Sequence, residues 1–156
     1  MGAKDFNNVV TPPKIAGIKA GAPFYHLAWQ INKSFSIELA LNLDWTKQVD
    51  EITTSLHKHY FYRFEDVELN WHLVQNKGSD SYFFQTKPLF DYLLVCNGDD
   101  IYGYFERAIE AIKSNRKIEF IHPFDFNLVK SKEAFFNNIL KTKSFIEDNL
   151  HVQGKF

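Results

Sequence analysis

Apolar and polar side chains alternate along residues 56–74, with an interruption at Lys58. The apolar positions of the first half are Leu56, Tyr60, Tyr62 and Phe64, and those of the second half are Val67, Leu69, Trp71 and Leu73. Successive side chains of a β-strand point to opposite faces, so a period of two is typical of a strand with one buried face. The pattern therefore predicts a β-hairpin with one apolar face and one polar face.

The register of this hairpin depends on its turn, for which we take Glu65-Asp66. In that register His59 lies opposite His72 on the polar face, and His57 follows on the same face. Directly opposed side chains have Cβ atoms about 5 Å apart, so three imidazoles are expected to converge. Three neutral imidazoles with a water as fourth ligand suit Zn²⁺. The alternative interpretation is a solvated sheet face whose histidines contact only water.

Three segments show the period of an amphipathic helix. They are His26–Phe35, residues 101–112 and residues from about 132 to 149. The second follows Asp99 and Asp100, either of which is expected to cap the helix and to place negative charge at its positive end. These segments predict helices of ordinary globular length.

The nearly continuous apolar run Phe90–Cys96 predicts a central strand that is covered on both faces. Further strands are predicted at Tyr82–Gln85 and Lys117–Ile121, and the strand–helix–strand segment from 90 to 121 fits a right-handed parallel crossover. The order of elements predicts an α+β fold: a mostly antiparallel sheet of about four to six strands with helices packed on one face.

The domain boundaries follow from glycine and proline. Residues 1–23 contain six of these residues and are predicted to be a mobile N-terminal arm, with a short extended piece around Ile15–Ile18. Residues 24–150 are predicted to form one globular domain, and residues 151–156 a C-terminal tail.

Composition narrows the functional classes. The 156 residues fit one domain, and the net charge of −1 without a basic stripe argues against a nucleic-acid partner. A single cysteine excludes an intramolecular disulfide and is typical of a reducing cytoplasm. The absence of a signal-peptide pattern and of a run of about 20 apolar residues favours a cytoplasmic protein without membrane contact.

The aromatic share of 17%, with 16 Phe, favours either a Phe-rich core or an aromatic surface that binds a partner. Trp29 in the first helix and Phe61 on the polar face of the hairpin are the aromatic candidates for binding, and a core position is the alternative for Trp29. Asp91 interrupts an apolar run, so it needs either a hydrogen-bond partner near the sheet's end or a binding role. Cys96 is interpreted as a buried thiol.

Phe90-Asp91-Tyr92 followed by Leu93-Leu94 resembles the Val-Asp-Tyr end of the bacterial IPExxxVDY family, and Tyr25–Asn32 is similar to that family's N-terminal stretch. The resemblance covers about residues 24–140. The Ile-Pro-Glu positions fall on Phe84-Gln85-Thr86, so the first half of the motif is absent. The resemblance implies a cytoplasmic bacterial protein with a role outside standard metabolism, and it implies no activity or cofactor.

Two hypotheses of function follow. The first is a non-catalytic protein-interaction or adaptor module without a cofactor, which binds a protein partner or a second copy of itself. In that case the outer strand of the hairpin extends a partner's sheet, or the N-terminal arm becomes ordered on binding. The alternative is a metal-dependent or small-ligand-binding enzyme that uses the His57–His59–His72 face, with Zn²⁺ as its cofactor.

Overall fold

The computed structural model describes residues 12–64, 67–86, 89–130 and 132–153. Its strands are β1 (Lys14–Lys19), β2 (Ala40–Leu41), β3 (Trp45–Gln48), β4 (Thr54–His57), β5 (His59–Phe64), β6 (Leu69–Gln75), β7 (Tyr92–Asn97) and β8 (Phe120–Phe124). Six of them form one sheet in the order β2-β5-β6-β7-β1-β8, with every neighbouring pair antiparallel, while β3 and β4 form a separate two-stranded ribbon. The predicted α+β fold with a mostly antiparallel sheet is confirmed.

The helices are α1 (Phe24–Phe35), α2 (Tyr104–Lys113) and α3 (Lys132–Gln153), with a short 3-10 turn at Phe126–Leu128. Helices α1 and α2 cover one face of the sheet, which we call the α1/α2 face. Helix α3 packs with the β3–β4 ribbon on the opposite side, the α3 face. The expectation that all helices lie on one face is therefore wrong. Strand β7 is buried at every position, so both of its faces need a cover.

The α1/α2 face carries a continuous apolar core. Trp71, Leu73 and Leu94 of the central strands pack against α1 and α2, and the Phe105 ring of α2 lies parallel to the Trp71 ring at 6.4 Å. Cys96 belongs to the same cluster, and burial raises the pKa of its thiol. None of the helices in the described ranges is long and apolar enough to cross a membrane.

The N-terminal boundary was predicted incorrectly. Strand β1 lies between β7 and β8 and is buried at four consecutive positions, so residues 14–19 belong to the core rather than to a mobile arm. Gly17 serves close packing here, because a Cβ at this position would lie 2.5 Å from the Phe90 ring. The rest of the predicted arm up to residue 11 lies outside the described residues.

The C-terminal half departs from prediction in two places. Helix α3 continues to Gln153, so the predicted tail begins within a helix. Residues 82–85 form no strand, and Tyr82 makes only an isolated bridge to Lys77. The crossover is partly as expected: β7 and β8 run parallel to each other, but β1 lies between them.

Asp100 fixes the start of α2. Its carboxylate accepts hydrogen bonds from the backbone N–H groups of Tyr104 (2.7 Å) and Phe105 (2.9 Å). The helix therefore begins three residues later than the apolar pattern predicted, and Ile101 stays 65% exposed in the preceding turn. Of the two predicted capping acids, Asp100 has the role.

Candidate functional site

The hairpin of β5 and β6 brings two of the three candidate histidines together, although its register differs from the prediction. Phe61 pairs with His72 and His59 pairs with Val74, two residues further along β6 than expected. The predicted turn residues, Glu65 and Asp66, lie outside the described residues. A shift of two keeps every side chain on its predicted face, because side chains alternate with a period of two. His59 and His72 thus become diagonal neighbours.

The two imidazoles form the middle of a hydrogen-bonded chain across the sheet. His59 Nδ1 lies 2.9 Å from the Leu43 carbonyl oxygen, and His59 Nε2 lies 2.9 Å from His72 Nδ1. The chain ends where His72 Nε2 lies 2.7 Å from Asn97 Oδ1. All four ring nitrogens are therefore engaged with a partner. We call His59 and His72 the imidazole pair.

The imidazole pair is covered rather than solvated, which corrects the interpretation as a solvated sheet face. His59 is 0% and His72 1% exposed. The Trp45 ring of the ribbon packs on both imidazoles, with ring centroids 5.3 and 5.1 Å away. Phe61, one of the predicted binding residues, is half-buried and lies 5.2 Å from the His72 ring. Phe61 therefore contributes to the cover of the pair.

His57 makes separate contacts. Its Nδ1 lies 2.9 Å from the Gln75 carbonyl oxygen, and its ring meets the Phe83 ring edge to face at 5.2 Å. Gly78 packs against it so closely that a Cβ there would lie 2.6 Å from His57 Nε2.

The chain shows no convergence of three ligands in the part that the structure describes, where no group of three or more His, Cys, Asp or Glu side chains is arranged to hold a metal ion. The zinc site at His57, His59 and His72 stays a prediction. The arrangement does not favour it, because His59 and His72 direct their nitrogens at each other and at oxygen atoms.

Burial sets the charge of these histidines. It lowers the pKa of His72 to about 4 and that of His59 well below its usual value, with the neighbouring His72 and Lys141 lowering the latter further. The pKa of His57 is also lowered by burial. The imidazole pair is therefore neutral at pH 7.

Asp91 has a structural partner. Its Oδ2 accepts a hydrogen bond of 3.1 Å from the backbone N–H of Ala20, and its own N–H donates to the Ile18 carbonyl oxygen at 3.0 Å. The side chain itself is exposed at the start of β7. Of the two interpretations of Asp91, this contact matches the hydrogen bond near the end of the sheet.

Trp29 lies on the outer face of α1 and not in the core. It is 52% exposed, and Tyr25, one turn earlier, is 69% exposed, whereas Trp45 and Trp71 are fully buried. The Lys33 ammonium lies 4.8 Å from the centre of the Trp29 ring. The sequence analysis missed Tyr25, although a signal was present. Tyr25 and Trp29 are four residues apart and offset by two from the buried Leu27, which places them on the opposite side of a helix.

No protein-family model matches this chain, and a search of curated proteins found no match either. The resemblance to the IPExxxVDY family therefore stays a prediction. In the structure, Asp91-Tyr92 stands at the start of β7, and Tyr25–Asn32 lies within α1.

Proposed function

We propose that this protein is a non-catalytic interaction module that binds a partner protein through the outer face of α1. The observation that carries the proposal is the pair of exposed aromatic side chains, Tyr25 and Trp29, one helical turn apart. Tyr and Trp are enriched among the residues that contribute most to binding energy in protein interfaces. Because water is a poor solvent for two adjacent aromatic surfaces, covering them with a partner is favourable.

The charges around these rings indicate the kind of partner. Helix α1 contains no Asp or Glu, and its Lys33 lies over the Trp29 ring. Asn115 donates a hydrogen bond of 2.7 Å to the Gln30 side chain of α1, which brings the exposed Arg116 and Lys117 beside this helix. Basic side chains near an exposed aromatic pair fit an apolar segment flanked by carboxylates. We therefore infer an acidic partner protein.

Two alternatives have less support. A second copy of the chain docked through the same face would place its basic side chains against those of the first copy, which is unfavourable. An enzyme that uses the histidine face needs access for a substrate, but the imidazole pair lies beneath Trp45 and next to Phe61.

The test is a comparison of captured proteins. Immobilised wild-type chain and the double variant Tyr25→Ala/Trp29→Ala are exposed to a lysate of the protein's own cells, and bound proteins are quantified by mass spectrometry. We expect at least one acidic protein to be captured at least tenfold less by the double variant, because the loss of a single aromatic anchor, at about 2 kcal/mol or more, already weakens binding by more than tenfold. The matched control is Ile101→Ala/Tyr102→Ala, which removes two side chains of 65% and 59% exposure elsewhere.

Trp29 supplies an independent readout, because the other two Trp residues are fully buried. Acrylamide should quench Trp29 fluorescence in the free protein and quench it less once the captured partner, purified, is added. Equal capture by wild type and double variant, or unchanged quenching with the partner present, would contradict the proposal.

A further inference from the structure

The hydrogen-bonded chain through the imidazole pair contains more donor positions than two neutral rings can fill. The Leu43 carbonyl and the Asn97 Oδ1 atom at its two ends only accept hydrogen bonds. His59 Nδ1 and His72 Nε2 must then both carry hydrogen, and the bond between the two rings needs a third. Two neutral imidazoles carry two such hydrogens. With the Asn97 oxygen facing His72, the chain is complete only when the pair holds one additional proton.

A neutral imidazole pair can also make all three of these hydrogen bonds, in one other arrangement. If the Asn97 amide turns over, its Nδ2 donates to His72 Nε2, His72 Nδ1–H donates to His59 Nε2, and His59 Nδ1–H donates to Leu43 as before. The two orientations of an Asn amide occupy nearly the same volume, so the exchange requires no repacking. Each protonation state of the pair therefore corresponds to one orientation of Asn97.

We propose that His59, His72 and Asn97 form a buried binding site for a single proton, in which uptake of the proton turns the Asn97 side-chain amide. The proton enters the hydrogen bond between the two rings, and the positive charge is shared by the pair. A second proton would leave two hydrogens between His59 Nε2 and His72 Nδ1, only 2.9 Å apart. The folded chain therefore binds one proton at this site and not two.

Nearby cationic side chains oppose a positive charge on the imidazole pair. On α3, Lys141 lowers the pKa of His59, and its ammonium donates a hydrogen bond of 2.6 Å to the Asp44 carbonyl oxygen. Lys47 and His57 belong to the ribbon that covers the pair, and Arg63 lies two residues beyond Phe61 on β5. No carboxylate among the described side chains is bonded to either ring.

Asn97 lies at the solvent-facing end of the site. It is slightly exposed and directly precedes the loop that leads to Asp100 and α2. Its neighbour in register on β6 is Asn70, whose Oδ1 is buried without a hydrogen-bond partner. When the Asn97 oxygen faces His72, its Nδ2 points away from the ring. When the amide turns, Asn97 therefore directs its oxygen instead of its Nδ2 away from His72.

The first test reads the hydrogens on each ring nitrogen by long-range proton–nitrogen NMR of the wild-type chain with isotope-labelled histidine. At pH 7 we expect both His59 and His72 in the Nδ1–H form, which is the less common tautomer of a free imidazole. On acidification we expect one added hydrogen shared by the pair, together with a change in the Asn97 side-chain amide resonances. Hydrogen on His72 Nε2 at neutral pH in an uncharged pair would overturn the proposal.

The second test uses Asn97→Asp, which places an acceptor before His72 in either orientation and supplies a balancing charge. We expect the apparent pKa of the pair to rise by at least about one unit, since an opposite charge this close favours the protonated form. Asn70→Asp is the matched control, because it adds the same charge on the same face without facing His72 Nε2. Equal shifts in the two variants would overturn the proposal. If Asn97→Asp fails to fold, the wild-type tautomers decide alone.

Discussion

Both faces of the six-stranded sheet are buried, but different interactions stabilise the packing on each face. On the α1/α2 face the contacts of the central strands are almost entirely apolar. The α3 face combines an apolar cluster with buried polar side chains, including Ser55, His57, His59, His72 and Asn138. There Asn138 of α3 accepts a hydrogen bond from the Thr46 N–H (2.7 Å) and donates one to the Thr46 carbonyl (2.8 Å), which ties the helix to the ribbon.

This difference has a physical consequence. Apolar burial stabilises in proportion to area, at roughly 25 cal/mol per Å², and it does not depend on protonation. Buried hydrogen bonds stabilise only while donors and acceptors match, and one unmatched group costs about 1–3 kcal/mol. The α1/α2 face should therefore tolerate changes in pH, and the α3 face should respond to them. The predictions below test this contrast.

The largest expected effect comes from Trp71→Ala on the α1/α2 face. Trp71 is fully buried between α1 and α2, so its removal should lower the free energy of unfolding by about 3–5 kcal/mol. Trp45→Ala is the counterpart on the α3 face, where the loss also admits water to the imidazole pair. Urea unfolding at pH 7 and pH 5 should show an altered pH dependence for Trp45→Ala only. The same pH dependence in both variants would refute the contrast.

Acid should destabilise the wild-type protein through the α3 face. The pKa of His72 is about 4 in the folded chain, against an ordinary value of 6.5 for a solvated histidine, so only the unfolded chain binds a proton in between. This stabilisation is complete above pH 6.5 and is lost as the pH falls towards about 4, by about 3 kcal/mol at 1.36 kcal/mol per unit. The measurement is urea unfolding across this range.

His72→Phe should reduce this pH dependence, because it removes the group that the unfolded chain protonates. The exposed His122 provides the control, and His122→Gln should keep the wild-type pH dependence. Stability that stays constant between pH 6.5 and pH 4 in the wild type would show that the imidazoles are not held neutral by burial.

The smallest expected effect concerns a polar contact of the α1/α2 face. Asp100→Ala removes the carboxylate that binds the first N–H groups of α2 and that pairs with Lys14 at 3.3 Å. We expect a loss of about 1 kcal/mol, as for other helix caps, measured as a shift of the urea midpoint. Asp99→Ala is the matched control, since Asp99 is exposed. An equal loss in both variants would mean that the capping contact contributes nothing specific.

Local periodicity predicted part of the site. The alternation in the hairpin assigned His59 and His72 to one face, and they lie there. It did not determine the register, because any shift by two residues preserves the faces. Nor did it reveal that this face is buried, since its cover is formed by tertiary contacts with the β3–β4 ribbon and with α3, which lies far along the chain. A polar face beneath a second layer has the same sequence pattern as a polar face in water.

Strand β1 shows the opposite error. Glycine and proline around residues 12–23 resemble a flexible segment, yet β1 lies between β7 and β8. Gly17 of β1 is needed because the Phe90 ring packs directly against it, and Phe90 lies far along the chain. Composition alone does not distinguish a glycine needed for close approach from one needed for flexibility.

By itself the sequence determined the α+β class, the three helices to within a few residues and the faces of the hairpin, because these depend on repeats of two and 3.6 residues between near neighbours. The tertiary structure alone decided which faces are covered, where β1 inserts, and that two imidazoles and an amide join in one hydrogen-bonded chain. It also left Tyr25 and Trp29 on the surface. These features depend on contacts between residues far apart in the chain, and no local repeat encodes them.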